Sequence, residues 1–588
     1  MIWALCLLPW AVLGSSEKYG EELLLRRLPS QHLHAHFAFS AFRPRPLDDH
    51  FDVFPKTLGY LLEEYGVEEL RLSLSQGFWR PAQWGFAPQP SAPTGAFLWA
   101  LFRHDTELEQ RWESLVESLS GLFCASLASA HLASTTMPAK GFLPLGQIEE
   151  GTFNRSLQRL ALAPAENVCT ENMTPWKKLL ACKDTGLSVL LNGHRMFETA
   201  YHSLGLVLRR LCPGGKPCSA PGWEAVQTAD IVFDAPVKDQ FADWSLMSIF
   251  QTSLPSACPL AASSNILVDI TESPEDEFSV KASGRLSLGG RLYAQFDLRR
   301  LDEKALGNLA LKTRRRLSFA KPQPPPVSIH SFIGGSGLQE GQYESRILNL
   351  GREAVNALWS QMVPWYTRPF LHSLWFGCKA YGSGDADYAP QKPAYILLNP
   401  GSDRRRPHFY QLALRLPPGS ECEVRLEFER ALLRWTEYPP DAHHGFPVPP
   451  AALTFRLPPN SAHHLALPFT NRSLLLSASP QEGSVREEVT LWSEVRLVSL
   501  PTPDFSMPYN VICLVCTVVA LAFGPIHNLT TKSLVLGSEQ ELKAKKPLHR
   551  LKSRLAVKLS GLGFVLRPWL ASALPPDFKS QPIIRKKK

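Results

Sequence analysis

Residues 500–526 read LPTPDFSMPYNVICLVCTVVALAFGPI, and this stretch divides the chain in two. Val511–Phe523 is thirteen residues without a charge and with one hydroxyl, Thr517. The flanks Pro508–Asn510 and Gly524–Ile526 bring it to 19 residues. As a helix that spans a hydrocarbon core of about 30 Å at roughly 1.5 Å per residue. Beyond it, residues 527–588 hold 14 Lys/Arg against three acids, a net +11 in a chain whose total is +8, so everything before carries −3. Basic residues massed on one side of a lone span direct that side to the cytosol. The expectation is a transmembrane helix over 506–526, a basic cytosolic tail over 527–588, and a large lumenal body before them.

The other end agrees. Ile2–Leu13, IWALCLLPWAVL, is apolar and is followed by the small residues Gly14, Ser15 and Ser16. That pattern predicts a signal peptide over 1–15. A signal followed by one late span gives a single-pass type I protein. The late span is not a GPI-attachment signal, because such a signal ends in its hydrophobic run.

The lumenal part is long enough for two or three domains. The whole chain is 44% hydrophobic, enough for real cores, and its fifty prolines argue against an all-helical body. Its near-neutral charge gives no support to nucleic-acid binding. His32–Ala41 (HLHAHFAFSA) and Leu70–Leu74 (LRLSL) alternate as strands do. Glu107–Leu132 reads as a helix with Leu108, Trp112, Leu115, Val116, Leu119, Leu122 and Phe123 on one stripe. From 255 onward strand patterns and turn signals dominate, as in ILVDIT at 266–271 and ECEVRLEFERALLRW at 421–435. Gly289–Gly290 lies between two strand-like runs and predicts a hairpin. Residues 382–409 read as a long polar loop, and Lys321–Val327 (KPQPPPV) as an extended linker. The fold class is β-rich α+β: lumenal β-sandwich-type domains with a few helices and one C-terminal transmembrane helix. The domains are 16–254, mixed α/β, and 255–505, sandwich-like.

Eight cysteines fall in the lumenal part, at 124, 169, 182, 212, 218, 258, 378 and 422. In an oxidising compartment most are expected in disulfides. Cys212 and Cys218 close a short turn-rich loop, CPGGKPC, and are the easiest pair to propose. Cys182 has an internal partner available, for instance Cys169. Cys513-x-x-Cys516 lies within the apolar span, where two small apolar residues explain it better than a redox motif. Sequons at Asn154, Asn172 and Asn471 are glycosylation candidates, and Asn528 is not, being at the cytosolic end of the span.

The chain shows no G-x-S-x-G elbow, H-E-x-x-H, phosphate-binding loop or caspase-type Q-A-C-x-G motif. His443 and His444 are adjacent and point apart in extended chain, a poor chelate even with Asp441 nearby. Arg314–Arg316 reads as a solvated charged loop. No catalytic residue, metal site or cofactor is expected. Trp79 and Trp435 suit a core or the centre of an interface.

Ten short segments, in order, resemble the PIG-T family of GPI transamidase subunits. They include SQGFWR (75–80), LSGLFCASL (119–127), VCTENMTPWKKLLAC (168–182), GLSVLL (186–191), CPLA (258–261), FERALLRWTEYPPD (428–441) and LPTPDFSMPYNVICL (500–514). Residues 447–499 and the tail after 525 depart from the family pattern, and Cys378 and Cys422 are additional to its cysteine set, so they are candidates to pair with each other. The resemblance implies a non-catalytic scaffold in the endoplasmic reticulum membrane. It implies as partners a caspase-like catalytic subunit, PIG-K, together with PIG-S, PIG-U and GPAA. That complex cleaves a C-terminal signal from a proprotein and joins the new carboxyl end to GPI ethanolamine. The resemblance also implies that Cys182, in TPWKKLLAC, forms an interchain disulfide to the protease subunit. The competing readings are an independent lumenal hydrolase with a site built from distant residues, and an adhesion or receptor ectodomain.

Overall fold

Alternation of apolar and polar residues builds an eleven-stranded sheet from the first half of the chain. A computed structural model describes residues 17–28, 32–44, 50–127, 135–146, 154–212, 221–233, 244–271, 277–288, 291–302, 306, 309–312, 325–335, 337–384, 387–439, 441–456, 474–475, 488–502, 506–536 and 584–587. The signal peptide expected over 1–15 lies outside them.

The strands begin with β1 (Lys18–Arg27), β2 (Leu33–Arg43), β3 (Val67–Gln76), β4 (Gly95–Phe102), β5 (Thr135–Thr136) and β6 (Gln158–Ala163). They continue with β7 (Tyr201–Leu211), β8 (Gly222–Phe233), β9 (Trp244–Ser245) and β10 (Ala261–Asp269). Then come β11 (Glu277–Phe278), β12 (Gly284–Leu288), β13 (Arg291–Asp297) and β14 (Ala310–Lys312). The large sheet runs β12-β13-β10-β1-β2-β8-β7-β3-β4-β6-β5. All its pairs are antiparallel except β1 with β10, which run parallel. Leu288 pairs with Arg291, the register of the hairpin expected around Gly289–Gly290, although those two glycines lie outside the described residues.

On β2 the odd positions Ala35, Phe37, Phe39 and Ala41 enter the main core. The helix Leu108–Phe123 covers that face with Leu108, Trp112, Leu115, Val116, Leu119 and Phe123 buried, the stripe that its 3.6 period predicts, with Leu122 half-buried at its edge. Each such side chain contributes roughly 1.5–3 kcal/mol of burial. The helix stops earlier than the expected Leu132, because Cys124 takes a left-handed φ of 51°.

The expected domain boundary at 255 is corrected. Strands β10, β12 and β13 complete the first sheet, because β10 pairs with β1 over Ala261–Val268. The change of sheet falls between Lys312 and Val327, where the proline-rich linker was placed.

From there the chain forms β15 (Val327–Gly334), β16 (Glu340–Asn349), β17 (Val355–Val363), β18 (Thr367–Pro369), β19 (Trp375–Ala380), β20 (Ala389–Pro390) and β21 (Tyr395–Asn399). It ends with β22 (His408–Leu416), β23 (Ser420–Arg430), β24 (Phe446–Val448), β25 (Ala452–Arg456), β26 (Glu488–Trp492) and β27 (Arg496–Val498). A six-stranded sheet holds β15, β16, β18, β19, β20 and β23, and a five-stranded one runs β21-β22-β17-β25-β26. Both feed one core that includes Ile347, Val424 and Phe428 from the first and Trp359, Leu412 and Leu453 from the second. Residues 382–409, expected as a polar loop, contain the edge strand β21 (YILLN). A further apolar cluster joins Phe97, Trp99 and Leu160 of the large sheet to Met362, Phe409 and Trp492.

Residues 1–501 form one compact unit and 502–588 another. In the second, Ser506–Thr531 is a single helix, five residues longer than the 506–526 expected. Over Tyr509–Thr531 it is long and apolar enough to cross a membrane, with a mean hydropathy of 2.1 in its 18-residue window. Leu514, Val519 and Leu521 are 67%, 58% and 70% exposed, so this chain does not itself bury them. After it, β28 (Ser533–Leu536) pairs with β29 (Ile584–Lys587), and the rest of the tail lies outside the described residues.

Candidate functional site

Cys182 is positioned by the helix Thr170–Lys178, the TENMTPWKK of the sequence motif. Trp176 anchors that helix. Its buried ring meets Phe39 edge-on at 6.2 Å, its Nε1 donates to Gly205 O at 3.0 Å, and Gln227 Nε2 donates back to Trp176 O at 2.8 Å. The chain then turns and delivers Cys182 to Cys258, to which it is disulfide-bonded. The internal partner is therefore Cys258, 76 residues away, and Cys169 is a free thiol. A sulfur holds one disulfide at a time, so in the single chain Cys182 is already paired. Cys182 is 5% exposed and Cys258 1%, so both ends of the disulfide are buried in the single chain.

Behind the disulfide sits Glu21. Positions 19, 23 and 25 of β1 point into the main core, and Glu21 shares their face. Its carboxylate accepts from Ser264 Oγ at 2.5 Å and Leu187 N at 3.1 Å. Gly186 has φ +68°, and a Cβ there would lie 2.5 and 2.7 Å from the two carboxylate oxygens and 2.8 Å from Cys258 Cβ. Only glycine fits, and the carboxylate and Cys258 both press against it. Burial pushes the Glu21 carboxyl up to about 7, against the hydrogen bonds that pull it down. The Tyr19 phenol is also raised, by burial first and then by the Glu21 charge.

The opposite face of the same sheet carries a buried polar stripe. His34 Nε2 and His36 Nδ1 both lie within hydrogen-bond distance of Asp230 Oδ1, at 2.9 and 2.8 Å. Beside them, Glu224 accepts from Ser40 Oγ at 2.8 Å and from Arg209 Nε at 2.9 Å. Glu69 holds Arg71 at 2.6 Å and accepts from Leu145 N and Gly146 N. Burial tends to raise the Asp230 carboxyl, but the His36 charge and both histidine hydrogen bonds hold it far below the usual range. Burial tends to lower His36, and the charge and hydrogen bond of Asp230, with the Glu22 charge, outweigh it and raise it. For His34 burial wins, and its basicity falls.

Across the strands the order is His36, Asp230, Ser203. A Ser-His-Asp catalytic set needs the imidazole between hydroxyl and carboxylate. Here the carboxylate is central, so His36 has no route to the serine proton. The cavity on this face is about 90 Å³, room for a few waters and far below a substrate pocket.

The remaining expected residues are spread through the fold. Cys378 and Cys422 are register partners on β19 and β23 and are disulfide-bonded. Cys212 is disulfide-bonded, and Cys218 lies outside the described residues. Five of the described lumenal cysteines are disulfide-bonded, whereas Cys124 and Cys169 are exposed free thiols with buried Asn172 between them. Asn154 is exposed, with Oδ1 accepting from Ser156 N and Oγ. Asn172 is corrected as a glycan candidate. It is 1% exposed, and its Nδ2 donates to Phe123 O and Cys124 O at 3.0 and 3.2 Å, so both amide protons are used in packing. Asn471 and Arg314–Arg316 lie outside the described residues. Trp79 is core: its Nε1 donates to Gly85 O at 2.8 Å and its ring meets His34, Trp84 and Tyr201. The Trp435 side chain lies outside the described structure. His443 and His444 are exposed, and Asp441 Oδ1 accepts from His443 N in a local turn.

Sequence reasoning missed Glu21 and the pairing of Cys182 with Cys258. The signal for Glu21 was present, an acid at the one polar position of an otherwise apolar alternation in YGEELLL.

Two stretches, residues 3–242 and 235–558, match the family described as the Gpi16 subunit, a GPI transamidase component. The human protein named GPI-anchor transamidase component PIGT is 39% identical over 534 residues, covering 87% of this chain and 90% of the relative. The Saccharomyces cerevisiae protein named GPI transamidase component GPI16 is 27% identical over 592 residues, covering 89% and 90%. Among solved structures, a Vibrio harveyi GH20 exo-β-N-acetylglucosaminidase overlaps 31% of this chain and 19% of its own, at 10% identity and TM-score 0.16, which carries no argument about fold or activity.

Proposed function

This chain belongs to the family of the Gpi16 subunit of GPI transamidase, and from that membership we propose the part it plays in the complex. It is a subunit of the GPI transamidase complex. Its role there is to hold other chains in place without taking part in the chemical step. The observation that carries this reading is the 39% identity to a transamidase component across 87% of the chain. The buried charges support it: they are spent on one another and on backbone groups, as in a rigid scaffold, and the His36–Asp230–Ser203 order is wrong for acyl transfer. The two sheets over 327–500 act as a β-sandwich. The body over 16–505 faces the lumen of the endoplasmic reticulum, and the basic tail faces the cytosol.

The partners are the caspase-like protease PIG-K, with PIG-S, PIG-U and GPAA. Cys182 is the sulfur offered to the protease chain, and the Cys182–Cys258 bond is the resting state of the unassembled subunit. Asn154 is the glycan carrier favoured among the described lumenal sequons, for its exposure. The test is to replace Asp230 with Asn and His443 with Ala, then measure both recovery of the complex and transamidation per recovered complex. A scaffold loses recovery with Asp230→Asn and keeps turnover per complex in both variants. A loss of turnover in fully assembled complex contradicts it.

A further inference from the structure

We propose that a groove on the outer face of the five-stranded sheet is the seat of this chain's own Asn154 glycan. The proposal rests on Asn154 as a glycan carrier, and adds where the sugars lie and which side chains hold them.

The groove floor comes from the period of 2 on neighbouring strands. Asn356 on β17 and Arg415 on β22 are register partners, and so are Leu358 and Ala413. Thr454 on β25 pairs with Leu358, and Arg456 on β25 pairs with Glu488 on β26. Positions two apart share a face, so these side chains form one strip across four strands. The alternate positions Ala357, Leu414 and Phe455 enter the core on the other side. The strip has a polar row, Arg415, Asn356, Arg456 and Glu488, beside a row of smaller or apolar groups, Ala413, Leu358 and Thr454.

An arm of the chain walls this floor. Ala139 N and Lys140 N both donate to Gln411 Oε1 at 3.0 Å, and Gln411 Nε2 donates to Lys140 O at 2.9 Å. Gly141 follows at φ +68°, where a Cβ would lie 2.9 Å from Leu358 Cδ2, so the wall stands directly on the floor. The groove between them measures about 1020 Å³, at the upper end of the roughly 300–1,000 Å³ of small-ligand sites.

Asn154 stands at that wall. Its neighbour Arg155 lines the groove and donates to Ala139 O at 2.6 Å. The exposed Asn154 side chain is held by its oxygen, which accepts from Ser156 N at 3.1 Å and Ser156 Oγ at 2.8 Å. Its Nδ2, the atom that carries a glycan, points to no protein acceptor among the described residues. An oligosaccharide on Nδ2 therefore starts beside the groove.

The lining suits sugar. Hydroxyls both give and accept hydrogen bonds, and the groove offers guanidinium donors (Arg415, Arg456), carboxylate acceptors (Glu353, Glu488) and groups that do both (Asn356, Thr454). Half-buried Leu358 and Ala413 present a low apolar floor to the C–H face of a ring. A tethered ligand meets its site at an effective concentration in the millimolar range, so contacts too weak to hold a free sugar suffice.

The test compares the full-length glycosylated chain with Ser156→Ala, which loses the sequon and keeps Asn154. Hydroxyl-radical footprinting reads Leu358, with exposed Leu371 as the reference. Oxidation of Leu358 is expected to rise at least about threefold in Ser156→Ala, with Leu371 unchanged. An endoglycosidase that cuts between the two core N-acetylglucosamines should act more slowly at Asn154 on the folded chain than on the unfolded chain. The double variant Asn356→Ala/Arg415→Ala, at two exposed positions, should remove that difference and raise Leu358 oxidation while the glycan stays attached. Peptide mapping that finds Asn154 bare in the parent overturns both the carrier reading and the seat. A glycosylated Asn154 with equal Leu358 oxidation in parent and Ser156→Ala overturns the seat alone. Protection of Leu358 that appears only in the assembled complex, in parent and Ser156→Ala alike, assigns the groove to another protein chain and overturns the proposal.

Discussion

Glu21 and Ser264 are register partners on the parallel strands β1 and β10, and the Ser264 hydroxyl donates to Glu21 Oε1 at 2.5 Å. This pairing ties residues 243 apart and places a carboxyl inside the main core. The unfolded chain releases the Glu21 proton near 4.5, whereas the folded chain keeps it to about 7. The unfolded state therefore binds fewer protons between those values, and stability falls as pH rises across that window. The fall is expected to reach about 3 kcal/mol at most. Glu21→Gln should flatten it, so denaturant unfolding at pH 5 and pH 8 should differ less in the variant than in the parent.

Asp230 is expected to be the most costly single charge on the opposite face. Asp230→Asn removes the negative charge that two buried imidazoles share and should lower stability by about 3–5 kcal/mol. The raised His36 contributes stability that is full below 6.5 and lost as pH rises through its folded value. The depressed Asp230 contributes above its ordinary range and is lost as pH falls. Thermal unfolding of His36→Gln should lose the alkaline part of this dependence.

The two sequons should separate cleanly. Asn154→Gln should remove a glycan from the mature chain, read as a mobility shift that glycosidase abolishes in the parent. Asn172→Ala should leave glycan mass unchanged and lower stability by about 1–3 kcal/mol, because Phe123 O and Cys124 O lose their donor.

Cys378 and Cys422 close a loop of 44 residues within one sheet. Their joint replacement by Ser should cost about 4 kcal/mol by the loop-entropy estimate and leave the Cys182 disulfide intact. Mapping by non-reducing digestion, with unfolding of the variant, checks both halves.

Much of the fold was legible because its signals are local. HLHAHFAFSA alternates, and β2 follows it; LEQRWESLVESLSGLF carries a helical stripe, and that stripe is buried. The boundary at 255 was misplaced because the partner of β10 is β1, and no periodicity reports a pairing across 240 residues. YILLN was hidden within a polar stretch whose composition outweighed five apolar-rich residues. The same limit applies to the site. Cys258 becomes meaningful only when parallel pairing brings it to Glu21. Asn172 is a sequon by its three letters and a core amide by its surroundings.

The central claim is that this subunit is fastened to another chain of its complex through Cys182. The direct measurement is mass spectrometry of the Cys182 peptide from native complex, alkylated and digested without reduction, beside a non-reducing gel of Cys182→Ser. The account predicts that Cys182 is joined to a cysteine peptide of the protease chain, that Cys258 carries the alkyl label, and that the reducible heterodimer is lost in the variant. Cys182 joined to Cys258 throughout the assembled complex, with an unchanged gel pattern in the variant, would contradict it.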